Sequence, residues 1–304
     1  MKILITGGSG FIGSHLIEKL LLQKKHKLFN IDKNLDSPKN LFSIDKNYDQ
    51  RYKFIKYNLS DKNQIQDILF DIVPDLIINL AAETHVDRSI DNPDKFVINN
   101  VFSTLNLLES TRKLYKKMSH DWQNKFLFYH AGTDEVYGSA LENQFFNEES
   151  RYDPRSPYAA SKASSNFLVQ SWFHTFNLPV IIGNCSNNFG PGQFPEKLIP
   201  LSIFKALNNQ KIPIYGDGEF TRDWIYVKDH INAILRIIDT GKPGNSYCIG
   251  ANNQRTNNQI IKLICQILDE KLNPNISFNN LISYVEDRPG HDKRYALDLE
   301  KIKN

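Results

Sequence analysis

Cysteine is scarce in this chain. Only Cys185, Cys248 and Cys265 occur among 304 residues. An odd number of widely spaced cysteines excludes a disulfide framework and fits a reducing, cytoplasmic setting. An excess of charge of one sign is also lacking: 37 basic against 34 acidic side chains leave a net +3, which does not mark a nucleic-acid binder. No apolar run approaches the roughly 20 residues needed to cross a bilayer, so no membrane span is expected. No Cys or His pair stands at zinc-finger spacing and HExxH is missing, so no metal is expected. The opening MKILITGGSG has one lysine before a strand-like run that leads straight into glycines, unlike a signal peptide. Internal repeats and low-complexity stretches are missing too. With 40% hydrophobic and 23% charged residues, the composition is that of an ordinary globular protein. The length suits one large domain with a smaller lobe.

Strand and helix patterns alternate along the first half. Lys2 to Thr6 read as a buried strand, Gly7 to Gly13 as a glycine-rich turn, and Phe11 to Leu22 carry apolar residues at helical spacing. Further strands are predicted at Lys27 to Ile31, Tyr52 to Tyr57, Asp75 to Ala81, Lys125 to His130 and Pro179 to Asn184. Helices are predicted at Gln64 to Ile72, stopped by Pro74, at Asn99 to Met118, and from Pro157 to Phe176. This rhythm predicts an α/β fold: a Rossmann-type, doubly wound parallel sheet over residues 1–184. After Cys185 the elements shorten and prolines multiply, so residues 185–304 are expected to form mainly a smaller, mixed substrate-binding lobe. A segment near 224–251, with the strand-like SYCIG at Ser246 to Gly250, is expected to return to the first domain.

Gly7, Gly10 and Gly13 follow GxxGxxG between a strand and a helix. Gly7 permits the tight turn, Gly10 lets the backbone approach a pyrophosphate, and Gly13 lets helix and strand pack closely. The helix N-terminus then offers N–H groups and partial positive charge to phosphates. Asp32 ends the second strand about 20 residues after the turn, where a carboxylate binds ribose hydroxyls and repels a 2′-phosphate, so NAD is expected over NADP. Tyr158 and Lys162 stand four apart in SPYAASK and share one helix face. Ser156 can cap that helix with Pro157 at its first position. A nearby ammonium is expected to lower the phenol pKa, making Tyr158 a base for a sugar hydroxyl. Thr133, Asp134 and Glu135 are expected directly after the fifth strand. Two acids beside a Tyr/Lys pair supply the extra acid and base that a dehydration needs beyond an oxidation.

The glycine turn, Asp32 and YxxxK in this order resemble the extended short-chain dehydrogenase/reductase superfamily. AAETHVDRSI, TDEVYG, SPYAASKA, NNFGPGQFPEKLIPL, YGDGEFTRDWIYVKDH and VEDRPGHDKRYALD are similar to the dTDP-glucose 4,6-dehydratase family over almost the whole chain. That resemblance implies C4 oxidation of a nucleoside-diphospho-hexose with Thr133 near the reacting hydroxyl, Tyr158 as base and Lys162 as its helper. Elimination then follows, with Glu135 taking the C5 proton and Asp134 protonating the departing C6 hydroxyl. It implies cofactor contacts from Gly7, Gly10, Phe11, Ile12 and Gly13, from Asp32, Asn58 and Leu59, and from Ala81, Ala82 and Asn188 beside Tyr158 and Lys162. The nucleotide sugar is assigned to Thr84, Thr133, Asn187, Lys197 and Leu198, to Pro213, Tyr215, Arg222 and Asn253, and to Asp287, Arg288 and His291. Arg222 is expected to fork onto the diphosphate; alternatively it pairs with Asp223 or Asp229. Family members usually form homodimers, here through the helices at 99–118 and 158–176.

Some positions depart from the family pattern. Gly132 replaces a usual Ser, Asn58 an Asp, Asn99 a Thr and Phe189 a Tyr. Family members usually also continue through a closing helical segment beyond RYALDLEKIKN, an expectation of weaker packing in the second lobe. Two other readings stay open. A UDP-sugar 4-epimerase or decarboxylase of the same superfamily would not need Asp134 and Glu135. A non-catalytic nucleotide-sugar-binding relative would not need the intact Tyr158 and Lys162.

Overall fold

The computed structural model describes residues 1–34, 50–273 and 277–304. The chain begins with β1 (Lys2–Thr6), α1 (Phe11–Leu22), β2 (Lys27–Asp32), β3 (Tyr52–Lys56), α2 (Ile65–Ile72) and β4 (Leu76–Asn79). Two short helices follow, α3 (Val86–Asp91) and α4 (Pro93–Phe96), then a π-helical turn at Val97–Phe102, α5 (Ser103–Lys117) and α6 (His120–Gln123). Next come β5 (Leu127–Thr133), a 3-10 turn at Asp134–Tyr137, α7 (Pro157–Phe176) and β6 (Val180–Cys185). The remainder holds β7 (Asn187–Phe189), α8 (Leu198–Leu207), β8 (Ile212–Tyr215), β9 (Thr221–Tyr226), α9 (Val227–Thr240) and β10 (Ser246–Ile249). It ends with β11 (Gln254–Thr256), α10 (Asn257–Leu272), a 3-10 turn at Phe278–Leu281, β12 (Ile282–Val285) and α11 (Glu300–Lys303).

Seven parallel strands form the main sheet in the order β10-β6-β5-β4-β1-β2-β3. Alternation along each strand sends side chains to two separate cores. Leu4, Ile77, Phe128 and Ile182 face one core with Leu69, Leu107 and Val169 from α2, α5 and α7. Ile3, Ile5, Ile78, Tyr129 and Ile181 face the other with Leu16 and Ile234 from α1 and α9. β4 (LIIN) has both faces covered and is buried at every position; its one polar residue, Asn79, accepts from Thr6 Oγ1 at 2.6 Å. The strand order reverses between β1 and β4, so a crevice opens at their carboxyl ends, the usual ligand position in such sheets. Beyond β6 the chain builds two small sheets, β11-β9-β7 and β12-β8. They pack on α8 and α10 around Ala206, Ile212, Ile214, Ile261 and Cys265.

Two predicted elements need correction. The helix expected at 99–118 is a π-helical turn up to Phe102, and regular α-helix begins at Ser103. Asn100 explains the wider turn. Its amide bonds both ways to the Glu83 backbone (2.8 and 3.1 Å) and donates to Ser161 Oγ at 2.8 Å. A π turn aims such a side chain inward where a regular turn would carry it past. The fifth strand does not end at His130. Its pairing with β6 continues to Thr133↔Cys185, so Thr133 is the last strand residue and the two acids follow it.

Candidate active site

At the crevice the glycine turn follows from sterics. Gly7 has φ +71°, and a Cβ there would lie 2.7 Å from the Ala81 backbone. A Cβ at Gly13 would lie 2.4 Å from the Gly7 carbonyl oxygen, whereas one at Gly10 meets only that oxygen, at 3.1 Å. Gly7 and Gly13 are therefore demanded by the fold, and Gly10 leaves its outer side open. Phe11, Ile12 and Gly13 open α1 with no side chain capping them, so their N–H groups are directed at the crevice. Asp32 closes the far side, accepting the Ser9 N–H at 3.1 Å and the Asn34 N–H at 3.2 Å. Burial pushes its carboxyl above the usual range, against those bonds.

The other cofactor candidates surround this turn. Ala81 donates its N–H to Thr6 Oγ1 at 3.3 Å, and Ala82 follows it, half-buried. Asn58 caps its own turn by accepting the Ser60 N–H, while Leu59 is buried. The Asn188 side chain is already engaged inside the protein. Its Oδ1 meets His230 Nδ1 at 2.9 Å, and its Nδ2 donates to Cys185 Sγ and the Ser186 carbonyl. Asn99 accepts from Lys33, which in turn pairs with Glu83 at 2.6 Å.

The reactive groups sit at the ends of β5 and α7. Ser156 caps α7 by accepting the Ala159 N–H at 3.1 Å, and Pro157 takes the first position, as expected. Tyr158 donates its N–H to Ser89 Oγ at 3.1 Å, and Lys162 donates to the Ala131 carbonyl at 2.6 Å. The Thr133 hydroxyl donates to Asp134 Oδ1 at 3.4 Å. It also caps the following 3-10 turn by accepting the Glu135 N–H at 3.3 Å. One electrostatic expectation is overturned. The Tyr158 phenol is pushed up, not down, first by burial and then by the Glu135 charge. Lys162 is not among the main groups acting on the phenol, and burial lowers its own pKa to about 8.

Asp134 and Glu135, adjacent in sequence, differ in surroundings. Asp134 is buried, and its Oδ2 has no partner. Burial and the Glu135 charge push its carboxyl well above the usual range, which favours its acid form. Burial raises Glu135 too, but Arg288, Arg222 and Lys197 oppose the rise. Neighbouring carboxyl groups whose environments differ in this way suit one acid role and one base role.

The substrate candidates come from the small sheets and from the loop after β4. Lys197 caps α8 ahead of Leu198 and donates to the Thr84 carbonyl at 2.7 Å. Asn187 lies opposite Trp224 with a buried, unpartnered Oδ1. Arg222 is buried and pairs with neither Asp223 nor Asp229. Its Nη atoms donate to the carbonyls of Thr221 and Asp292 at 2.8 Å, and its guanidinium lies 4.3 Å from the Tyr295 ring. Sequence spacing would not reveal the Asp292 contact, which lies 70 residues further on. Tyr215 and His291 approach edge-on at 6.5 Å, and His291 bonds to Asp287 at 2.7 Å. Burial and the Arg288 charge lower the His291 pKa to about 4, so it is neutral. Pro213 lies on β8 opposite Ser283, and exposed Asn253 accepts from Arg255. Asp223 was missed in the sequence. It is buried and takes the N–H groups of Ala251, Asn252 and Asn253 at 2.9, 3.3 and 2.6 Å, so it shapes the loop that carries Asn253.

The doubly wound sheet, the glycine turn and the Tyr158/Lys162 pair define a Rossmann-type enzyme of the short-chain dehydrogenase/reductase class. A family model described as GDP-mannose 4,6 dehydratase matches residues 4–304. Over its whole length the chain is 46% identical to dTDP-glucose 4,6-dehydratase of Escherichia coli, covering 87% of that protein. Two solved structures cover the whole chain as well. The dTDP-glucose 4,6-dehydratase of Bacillus anthracis, in complex with NAD, has 38% identity and a TM-score of 0.85, with 89% of it covered. DesIV, a dTDP-glucose 4,6-dehydratase of Streptomyces venezuelae with NAD and TYD bound, has 35% identity and a TM-score of 0.88, with 90% covered. The chain belongs to the GDP-mannose 4,6-dehydratase family and stands within it beside the dTDP-glucose 4,6-dehydratases.

Proposed function

We propose that the protein converts dTDP-glucose to dTDP-4-keto-6-deoxyglucose, using NAD that is recycled within each turnover. The observation that carries this reading is the Asp134–Glu135 pair directly after β5, Asp134 buried and Glu135 half-buried, on the helical turn beside α7 with Tyr158 and Lys162. The crevice fits the cofactor. Gly10 leaves room for a pyrophosphate against the start of α1, and the Asp32 carboxylate suits free ribose hydroxyls and disfavours a 2′-phosphate. The NAD found in the Bacillus and Streptomyces relatives agrees with this choice. When bound, NAD supplies hydride acceptance from C4 and hydride return to C6.

The protein's own groups handle the protons. Tyr158 accepts the proton of the C4 hydroxyl as the ketone forms. The ketone acidifies C5, and Glu135 removes the C5 proton. Asp134, held protonated, gives its proton to the C6 hydroxyl, which leaves as water. Glu135 then returns a proton to C5 as hydride reaches C6. Arg222, Arg288 and Lys197 supply positive charge for the diphosphate, and Thr84, Asn187 and Asn253 supply polar contacts around the nucleotide sugar. Neither a 4-epimerase nor a decarboxylase needs a buried acid beside a second carboxylate. A binding module has no use for the Thr133–Tyr158–Lys162 arrangement.

The organisation into a cofactor unit (1–184, with 224–251 returning) and a substrate lobe (mainly 185–304) belongs to the same proposal. The pairing of β10 with β6 supports it. A homodimer through the exposed Val97, Ile98 and Phe102 before α5 and Phe167 on α7 is part of the same proposal. Leu107 and Leu108 lie in the core of the single chain and cannot serve that contact. No helix among the described residues is long and apolar enough to cross a membrane. The free, buried Cys185, Cys248 and Cys265 suit the reducing cytoplasm.

The deciding experiment incubates the purified protein separately with dTDP-glucose and UDP-glucose and analyses the products by mass. Loss of one water from the dTDP sugar without accumulation of reduced cofactor is the expected result. An unchanged mass with inverted C4 stereochemistry would establish an epimerase instead.

A further inference from the structure

Polar contacts join the segment after β4 to the loops of the small sheets, and the steps above leave Asp87 of α3 without a role. Asp87 Oδ1 lies 3.0 Å from Arg288 Nη1, and its Oδ2 accepts from the Tyr215 hydroxyl at 3.5 Å. Both partners are substrate candidates, and they lie 201 and 128 residues away in sequence. One carboxylate therefore holds two separate parts of the substrate side, β8 and the 287–291 loop. The loop is fixed internally by Asp287, which takes the Arg288 N–H and the His291 ring, and by the stacking of His291 on Phe220 at 3.8 Å. Its attachment across the cleft is the Asp87–Arg288 pair.

The anchored guanidinium has capacity to spare. Arg288 Nε is buried and has no partner, and the Arg288 charge reaches Glu135, Arg222 and Lys197. An arginine bound through one Nη keeps its remaining N–H groups for a planar or anionic acceptor. Within the same short helix, Ser89 accepts the Tyr158 N–H at 3.1 Å. Thus α3 holds the start of the reactive helix with one residue and the 287–291 loop with another.

We propose that Asp87 is a positioning residue of the sugar-nucleotide site. It orients Arg288 and Tyr215 toward the nucleotide diphosphate and fixes their distance from Tyr158 through α3. This rests on the reading of the cleft as a dTDP-sugar site. Freed of the carboxylate, the Arg288 side chain must be ordered by the ligand, at the ligand's expense in affinity.

The test uses the holoenzyme and measures dTDP binding by calorimetry, KM and kcat for dTDP-glucose, and retained NAD. In Asp87→Asn, dTDP affinity is expected to fall about tenfold and KM to rise by the same factor, with kcat within about twofold and NAD retained. Combining Asp87→Asn with Arg288→Met is expected to cost less than the product of the two single effects, because their Arg288 share acts through one contact. Unchanged or tighter dTDP binding in Asp87→Asn would overturn the proposal. So would a loss confined to kcat, or effects that multiply in the double variant. If Asp87→Asn does not fold, Asp87→Glu carries the test: it keeps the charge but shifts Arg288, and KM is expected to rise about threefold at constant kcat. A wild-type KM there would overturn the proposal as well. Failure of the wild-type protein to bind dTDP would instead overturn the reading of the site.

Discussion

The carboxyl edge of the main sheet and the cleft of the small sheets are built in opposite ways. At the sheet edge, functional groups come in short local strings: Gly7 to Gly13, Thr133 to Glu135, Tyr158 to Lys162. Each string sits where a regular element begins or ends, and buried strands on both sides hold it in place. In the small-sheet cleft the groups are single residues joined by distant contacts. Arg222 rests on the Asp292 carbonyl and the Tyr295 ring, and Arg288 rests on Asp87. On the proposed reading, the chemistry is fixed by a rigid framework, while recognition of the nucleotide depends on tertiary contacts between loops. Variants in the first region should act mainly on kcat, and variants in the second mainly on KM.

Tyr158→Phe gives the largest expected effect and would sharpen the contrast. Loss of the base should lower kcat about 10³-fold, while dTDP affinity measured by calorimetry stays at the wild-type level. Arg222→Lys should act on the other side. A lysine cannot reproduce the carbonyl fork or the stacking on Tyr295, so KM should rise about 30-fold with a smaller change in kcat, read from initial rates. Asp223→Asn should be milder. The amide keeps the shape but turns an NH₂ toward N–H groups, so KM should rise about fivefold with NAD retention unchanged. A fall in kcat alone for either variant would break the proposed division.

The smallest expected effect is on stability. The folded-state pKa of Lys162 is about 8, below its usual 10.5. The stability it contributes is present above 10.5 and is lost as pH falls through about 8. Lys162→Met should therefore be inactive yet melt a few degrees above the wild type at pH 7. The two melting temperatures should converge as pH rises toward the unfolded pKa. Equal melting temperatures at pH 7 would show that the bond to the Ala131 carbonyl offsets the burial.

Much of the sheet edge was legible in the sequence because its requirements are local. A turn with φ +71° at Gly7 and a carbonyl oxygen of that turn 2.4 Å from where a Gly13 Cβ would stand demand glycine at both positions, and Ser156-Pro157 announces the start of α7. The π-helical turn was hidden because its cause, the Asn100 bond to Glu83, is a tertiary contact. The rise in the Tyr158 pKa was hidden because burial sums over the whole fold, whereas the spacing to Lys162 reports only one neighbour. Asp87 and Asp223 both lie inside motifs that the sequence displays, THVDRSI and TRDWIY. Their partners are 28 to 201 residues away, so spacing gives no sign of their contacts.

The central claim is that oxidation and elimination are carried by separate residues: Tyr158 with Lys162, and Glu135 with Asp134. The most direct test adds dTDP-glucose to NAD-loaded Glu135→Gln and follows both reduced-nicotinamide absorbance and product mass. The account predicts that the cofactor becomes reduced and stays so, because C4 is oxidised but water is not lost. Full turnover to the dehydrated product, with no reduced cofactor accumulating, would contradict it.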